Sequence, residues 1–353
     1  QIKPSDAELW ASHGNALANL GRLAEALSSY QRVLALSPKH ADAAFRSGLL
    51  LLALKRPQEA LSSFAQADEL FPDHASVLEQ RALALYELKR FEEALADNFR
   101  AHALNPAGAD VCNNIGACLQ QLRRDDEALP WFDKALALRP GFIRAMINKA
   151  FSLTQMLHIE QSASIYREVL AIDPGNADAA WNQSFLHLLT GDFEAGWAAR
   201  EVRWSAHMRP NLYPHFAQPM WRGEDGIAGK TILLYADEGL GDTIQYARYV
   251  PMLAARGAQV VLAVQDALVP LLSELAGVAQ CVARSASSYP AFDMHCAFCN
   301  LPTAFGTRLD SIPAAVPYLP KARTEHVQAW EERLRERLGT ERRRRVGLVW
   351  SGN

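Results

Sequence analysis

No apolar run among the 353 residues approaches the roughly 20 needed to span a bilayer as a helix. An excess of one charge is also lacking. With 36 basic against 39 acidic residues the net charge is −3, so there is no overall pull toward nucleic acid or an anionic membrane. The one basic run, Arg342 to Arg345, sits between an acidic helical stretch and an apolar one and reads as a solvated connector. Cysteine is scarce: Cys112, Cys118, Cys281, Cys296 and Cys299 are too few and too scattered for a disulfide framework. Cys296 and Cys299 form a C-x-x-C, but a structural zinc site needs a second pair. Redox pairs of this kind usually open a helix, whereas this one ends a strand-like run, so no metal or redox centre is expected. The first residues show no signal-peptide pattern. With 49% hydrophobic and 21% charged residues, the totals suit a soluble globular protein, and a cytoplasmic location is expected.

What the chain does have is a period. Pro4, Pro38, Pro72, Pro106, Pro140 and Pro174 are spaced 34 residues apart. Starting units at Ala7, Ala41, Ala75, Ala109 and Ile143 puts Gly14, Gly48, Ala82, Gly116 and Ala150 at the eighth position. The twentieth is Ala26, Ala60, Ala94, Ala128 and Ser162. Small residues at both places let two helices approach closely. Larger side chains recur at position 11 (Leu17, Leu51, Leu85, Leu119, Leu153) and position 24 (Tyr30, Phe64, Asn98, Phe132, Tyr166). Asn98 is the polar departure and predicts a loosely packed spot in the third unit. Each proline closes a second helix because it lacks an N–H and restricts the residue before it.

This pattern resembles the tetratricopeptide (TPR) repeat, a helix–turn–helix of 34 residues. The reading is residues 1–6 as the tail of an upstream repeat, then a TPR solenoid over 7–204. It holds five full repeats and a degenerate sixth starting at Ala177, whose aromatics, Trp197 among them, are expected to pack on the next domain. Position 6 faces the concave groove in TPR proteins, and here it reads Ser12, Arg46, Gln80, Asn114, Asn148 and Asn182. Asn114, Asn148 and Asn182 form a ladder that resembles the asparagine ladder of protein O-GlcNAc transferases. An amide offers a donor and an acceptor, so it can pair with the backbone of an extended peptide of any sequence. The alternative is that asparagine is merely a soluble, tolerated residue there. The partner implied is a polypeptide or other extended acceptor.

Near Ser205 the class changes. Residues 205–229, with Pro210, Pro214, Pro219 and several aromatics, read as an ordered linker over a neighbouring surface. Strands are predicted at Thr231–Tyr235, Ala258–Val264, Val278–Ala283 and Phe292–Phe298, and helices at 242–256, 266–275 and 325–338. A further strand begins at 346–350. The alternation implies a parallel sheet in an open α/β layout over 230–345, with ligands expected outside the carboxyl ends of the strands.

The stretch Asp237-Glu238-Gly239-Leu240-Gly241-Asp242-Thr243-Ile244-Gln245 follows the first of these strands. Together with Trp221-x-Gly223-Glu224, His295-Cys296 before Leu301-Pro302, and Trp350-Ser351-Gly352-Asn353, it resembles bacterial TPR proteins with a glycosyltransferase-like domain. Those are related to ADP-heptose:lipopolysaccharide heptosyltransferases. The resemblance implies an α-solenoid of TPR repeats followed by an α/β Rossmann-like domain, the N-terminal half of a GT-B fold. Residues 346–353 would then be the first strand of a truncated second Rossmann-like domain.

The resemblance further implies transfer of a sugar from a nucleotide-sugar donor by a longer parent chain, this part being inactive alone. Asp242 is then the candidate base, although Asp before a helix is equally an N-cap. His295 is a second candidate, with an ordinary structural histidine as the alternative. Gly239, Leu240, Gly241 and Gln245 would line the acceptor site, and Ser351 and Asn353 would begin the donor phosphate loop. No metal or cofactor is called for. The rival reading is a non-enzymatic TPR adaptor that binds an extended peptide.

Overall fold

The computed structural model describes residues 6–204, 214–224, 226–314, 317–321 and 324–338. Pro4, Met208, Pro210, Arg342 to Arg345, the strand expected at 346–350, Ser351 and Asn353 lie outside the described residues. The chain divides into two units, Gln1–Thr190 with Ala199–Met208, and Gly191–Ala198 with Arg209–Asn353.

The first unit is a series of helix pairs. These are α1 (Ala7–Asn19) with α2 (Leu23–Leu36), α3 (Ala41–Ala53) with α4 (Pro57–Leu70), and α5 (Ala75–Glu87) with α6 (Phe91–Leu104). Then come α7 (Ala109–Gln121) with α8 (Asp125–Leu138), and α9 (Ile143–Gln155) with α10 (Ile159–Ile172). α11 (Ala177–Leu189) ends this series; α12 (Phe193–Arg200), most of it assigned to the second unit, follows in the chain and runs into a 3₁₀ turn at Glu201–Trp204. Every first helix starts at the residue that the 34-residue phase predicts.

Two packing rules recur within each pair. At position 24 the rings of Tyr30, Phe64, Phe132 and Tyr166 are at most 1% exposed. They fit because the facing first helix presents almost no side chain: a Cβ on Gly48 would lie 2.5 Å from the Phe64 ring, and one on Gly116 would lie 2.5 Å from Phe132. The second rule concerns the turn between the helices. Gly21, Lys55, Lys89, Arg123, Leu157 and Gly191, one per repeat, all take left-handed backbone, with φ of 74°, 59°, 60°, 61°, 61° and 84°. Arg22–Glu25, Arg56–Glu59, Arg90–Glu93 and Arg124–Glu127 ion pairs follow on the same period at the surface.

The third repeat departs from the first rule. Asn98 replaces the ring, and beside it Arg81 donates to both oxygens of Asp97 at 2.7 Å and to Asp68 at 2.9 Å. Such a fork fixes geometry more than it adds stability, since the charges must be desolvated. Cys118 closes the core between the third and fourth repeats. Burial pushes its thiol up to about 12.

The second unit holds a parallel sheet of order β3-β2-β1-β4. Its elements in chain order are β1 (Thr231–Tyr235), α13 (Leu240–Tyr246), α14 (Val250–Ala255), β2 (Gln259–Val264), α15 (Val269–Leu272), β3 (Val278–Ala283) and β4 (Met294–Ala297). α16 (Leu301–Ala304) and α17 (Thr324–Leu338) follow. β1 and β2 are buried almost throughout, as strands covered on both faces are.

The connecting helices are shorter than expected. The helix foreseen over 242–256 is α13, a 3₁₀ turn and then α14, which restarts with Pro251 in its first turn. The one foreseen over 266–275 is a 3₁₀ turn and the single-turn α15, again with a proline in its first turn. Proline lacks the N–H that would carry the helix through but is welcome at a start. β4 is shorter than the predicted Phe292–Phe298: the Phe292 ring meets Phe216 edge-on at 5.3 Å, and Phe298 enters a 3₁₀ turn.

Residues 214–224 pack into this unit. Met220 pairs with His295, the Trp221 amide donates to the His295 carbonyl at 2.8 Å, and the indole is 1% exposed in the core. Among the described residues no helix is long and apolar enough to cross a membrane.

Leu157 is 71% exposed with φ of 61°, a conformation that costs an L-residue about 1 kcal/mol or more. Leu157→Gly is therefore expected to raise the thermal midpoint, adding roughly 0.5–1 kcal/mol. A lowered midpoint would contradict a strained left-handed turn at Leu157. For Cys118 the unfolded thiol ionises near 9 and the buried one near 12. Below about pH 9 both states hold the proton. Between the two values only the folded state does, so stability falls as pH rises. Denaturant titrations are expected to show a loss of order 2–3 kcal/mol by about pH 11 that Cys118→Ala lacks. Equal losses in both proteins would argue against a buried thiol.

Candidate functional site

Two places gather the residues singled out by sequence, one in each unit. In the helical unit an open cavity of about 230 Å³ is lined by residues of the first helices α5, α7 and α9 and by Asn98 of α6. Asn114 and Asn148 both line it. Their neighbour Asn113, which the ladder omitted, is 1% exposed and ties them together: Asn148 Nδ2 donates to Asn113 Oδ1 at 3.0 Å, and Asn113 Nδ2 approaches Asn114 Oδ1 at 3.5 Å. Gln120 braces the next turn, donating to the Asn148 carbonyl and to Ser152 Oγ at 2.9 Å each. Asn182 is not among the lining residues. It lies against the Tyr166 hydroxyl, whose ionisation burial pushes up.

The walls of the cavity are Ala82, Leu83, Tyr86, Ala117 and Cys118, and Arg144 stands beside Asn148. Arg144 donates to Asp110 Oδ1 at 3.0 Å. Arg139, hydrogen-bonded to the same carboxyl, holds Asp110 below the usual carboxylate range. Among the lining residues there is thus one cation, already paired, and no carboxylate. The surface offers amide donors and acceptors over an apolar floor, which suits a neutral, hydrogen-bonding chain. Asn113 was missed because it falls one residue before the ladder position. The adjacent pair Asn113-Asn114 was the signal available in the sequence.

In the α/β unit the loop after β1 meets the loops after its neighbours. Asp242 Oδ2 accepts from the Gly239 amide at 3.1 Å, while Thr243 donates to the Gly239 carbonyl at 3.1 Å. From the end of β2, Gln265 donates to the Glu238 carbonyl at 2.9 Å and accepts from Thr243 at 3.1 Å. Arg284 donates to the Ala236 carbonyl at 3.1 Å. Asp237 accepts from the Cys299 amide at 3.2 Å, and Asp237, Glu238 and Cys299 bring ligand-type atoms within 4.8 Å of one another. Asp242 is half-buried, whereas Gly239, Leu240, Gly241 and Gln245 are exposed.

His295 lies within the last strand of the sheet. It occupies the second position of β4, paired with Leu233 of β1. It is 6% exposed between the rings of Phe216 (4.9 Å) and Tyr235 (5.7 Å). Burial holds its imidazole below the ordinary value, opposed by a hydrogen bond with the Gln218 backbone. The motif Trp221-x-Gly223-Glu224 has a structural role here. The Trp221 indole donates to the Glu224 carbonyl at 2.9 Å, and Gly223, at φ of 111°, passes so close to the Ala304 carbonyl that a Cβ would collide with it.

Residues 12–75 and 56–109 match one tetratricopeptide repeat model, and residues 109–142 match a second. A tetratricopeptide repeat protein from Parabacteroides merdae ATCC 43184 is similar in structure over 58% of this chain and 88% of its own, at 19% identity and a TM-score of 0.50. PilF of Pseudomonas aeruginosa covers 58% of this chain and 95% of its own, at 21% identity and 0.48. YrrB, described as a TPR protein with an unusual peptide-binding site, covers 50% and 90%, at 23% identity and 0.45. Identities this low speak to fold alone. A search of curated proteins returned no match. The helical unit is a TPR solenoid, and a small parallel sheet follows it in the chain.

Proposed function

We propose that this chain is a binding protein whose solenoid holds an extended polypeptide along the face of its first helices, in the manner of an adaptor or scaffold. The observation that carries this reading is the open cavity where three successive first helices converge, lined by the amides of Asn113, Asn114 and Asn148. An extended peptide exposes an N–H and a C=O at every residue, and amides answer both without regard to sequence. The face of stacked first helices is the usual binding surface of such repeats. Neutral amides also bind without the desolvation cost of a buried charge.

A second reading has its own support in the α/β unit. A parallel sheet of order β3-β2-β1-β4 reverses its winding between β1 and β4, and ligands of open α/β sheets sit at the carboxyl ends beside such a switch point. The loop Gly239–Asp242 lies there. In this reading the unit is the Rossmann-like, acceptor-side half of a GT-B glycosyltransferase. Asp242 is the base that takes the acceptor's hydroxyl proton, and the nucleotide-sugar site is completed by Ser351, Asn353 and residues beyond.

An array of short synthetic peptides probed with the full chain tests the first reading. Binding is expected, and replacing Asn114 and Asn148 together by alanine is expected to weaken it roughly tenfold or more, at about 1 kcal/mol per lost hydrogen bond. Capture of no peptide would sink the proposal. Sugar transfer from a nucleotide-sugar donor to a captured peptide once a donor-binding half is supplied, lost in Asp242→Ala, would favour the second reading.

A further inference from the structure

The third repeat carries a more specific feature, which rests on the peptide-binding reading and deepens it. In the repeats on either side, position 24 supplies a buried ring that fills the space between the two helices of its pair. Asn98 stands in that place at 2% exposure, and its side chain stops short of where a ring would reach. Asn98 Nδ2 donates to the Ala94 carbonyl at 2.9 Å and approaches Cys118 Sγ at 3.8 Å. Asn98 Oδ1 is buried and accepts no hydrogen bond within the protein. A buried acceptor left unpaired costs about 1–3 kcal/mol, so pairing it with a ligand donor is favourable, the side chain turning so that Oδ1, which has almost no exposed surface, meets the donor. The cavity of about 230 Å³ opens beside this carboxamide, with Ala82, Leu83, Tyr86 and Cys118 as its walls.

We propose that this cavity is a side-chain pocket for a tyrosine of the bound polypeptide, the ligand supplying the aromatic ring that the third repeat lacks. The ring would lie against Ala82, Leu83 and Tyr86, and its hydroxyl would donate to Asn98 Oδ1. The protein already uses this pairing internally: Tyr30, at position 24 of the first repeat, donates to Asn15 Oδ1 at 2.6 Å. Other side chains fit less well. A carboxylate would face the Asn98 acceptor, and a lysine or arginine head would be buried with no carboxylate among the lining residues. Phenylalanine would fill the space but leave Oδ1 unpaired.

The test uses the full chain and matched synthetic peptides that differ only in a central Tyr, Phe, Trp or Ala. The Tyr set is expected to bind roughly tenfold more tightly than the Phe set, the effect of one hydrogen bond to a buried acceptor. Asn98→Tyr fills the pocket from within, as Tyr166 does opposite Ala150 at the same two positions. It is expected to erase the Tyr preference. Should that variant melt early, the double change Ala82→Gly with Asn98→Phe reproduces the Gly48–Phe64 pair and serves the same purpose. A Tyr set no tighter than the Ala set, a Trp set tighter than the Tyr set, or a Tyr preference that survives the filled pocket overturns the proposal. If no peptide binds, the adaptor reading has failed, and N-acetyl-tyrosinamide as probe still decides the pocket. Its addition is expected to shift the Asn98 side-chain amide resonances, and an unmoved signal overturns the pocket as well.

Discussion

The contact on which the helical unit depends is a ring set against the near-absence of a side chain. Phe64 over Gly48 and Phe132 over Gly116 bring the two helices of a repeat closer than any β-carbon would allow. A ring over a small residue recurs on the 34-residue period in every full repeat but the third, so successive pairs present similar faces and buried clusters form along the stack. The left-handed turn residue keeps the two helices antiparallel. Four repeats accept a non-glycine residue there, because the stacked core over-determines the turn and absorbs its cost.

A surface this regular becomes selective where it is irregular. Replacing one ring by Asn98 opens the interior of the third repeat toward the face that Asn114 and Asn148 occupy. The arginine fork from Arg81 to Asp97 and Asp68 lies in the same repeat, as if polar contacts had taken over part of the work that the ring does elsewhere. The asparagines there are joined by hydrogen bonds, which limits their rotamers before any ligand arrives. Pre-ordered side chains of this kind lower the entropy lost on binding.

Much of this was legible in the sequence because it follows from period. The first-helix starts at Ala7, Ala41, Ala75, Ala109, Ile143 and Ala177 can be read from the proline comb, and Asn98 stood out as a polar residue in an aromatic column. Left-handed φ at Lys55, Lys89, Arg123 and Leu157 could not be read, since no glycine marks those turns. Asn113 and Cys118 join the cavity through tertiary geometry, which a single-position ladder does not capture. In the α/β unit the strands were legible as apolar runs. The breaks at Pro251 and Pro270 and the early end of β4 came from competition between helix continuation, aromatic contacts around Phe216 and strand pairing. Trp221-x-Gly223-Glu224 owes its form within this unit to a buried indole, its hydrogen bond to the Glu224 carbonyl and the close approach of Gly223 to Ala304.

The central claim is that the face of the first helices receives a polypeptide. The most direct measurement places a photo-crosslinking amino acid at Leu83, on the cavity wall, and in a second protein at Glu92, exposed on the second helix of the same repeat. Each is irradiated with the peptide mixture. The account predicts crosslinks from position 83 and background from position 92. Equal yields from the two, or crosslinks from 92 alone, would contradict it.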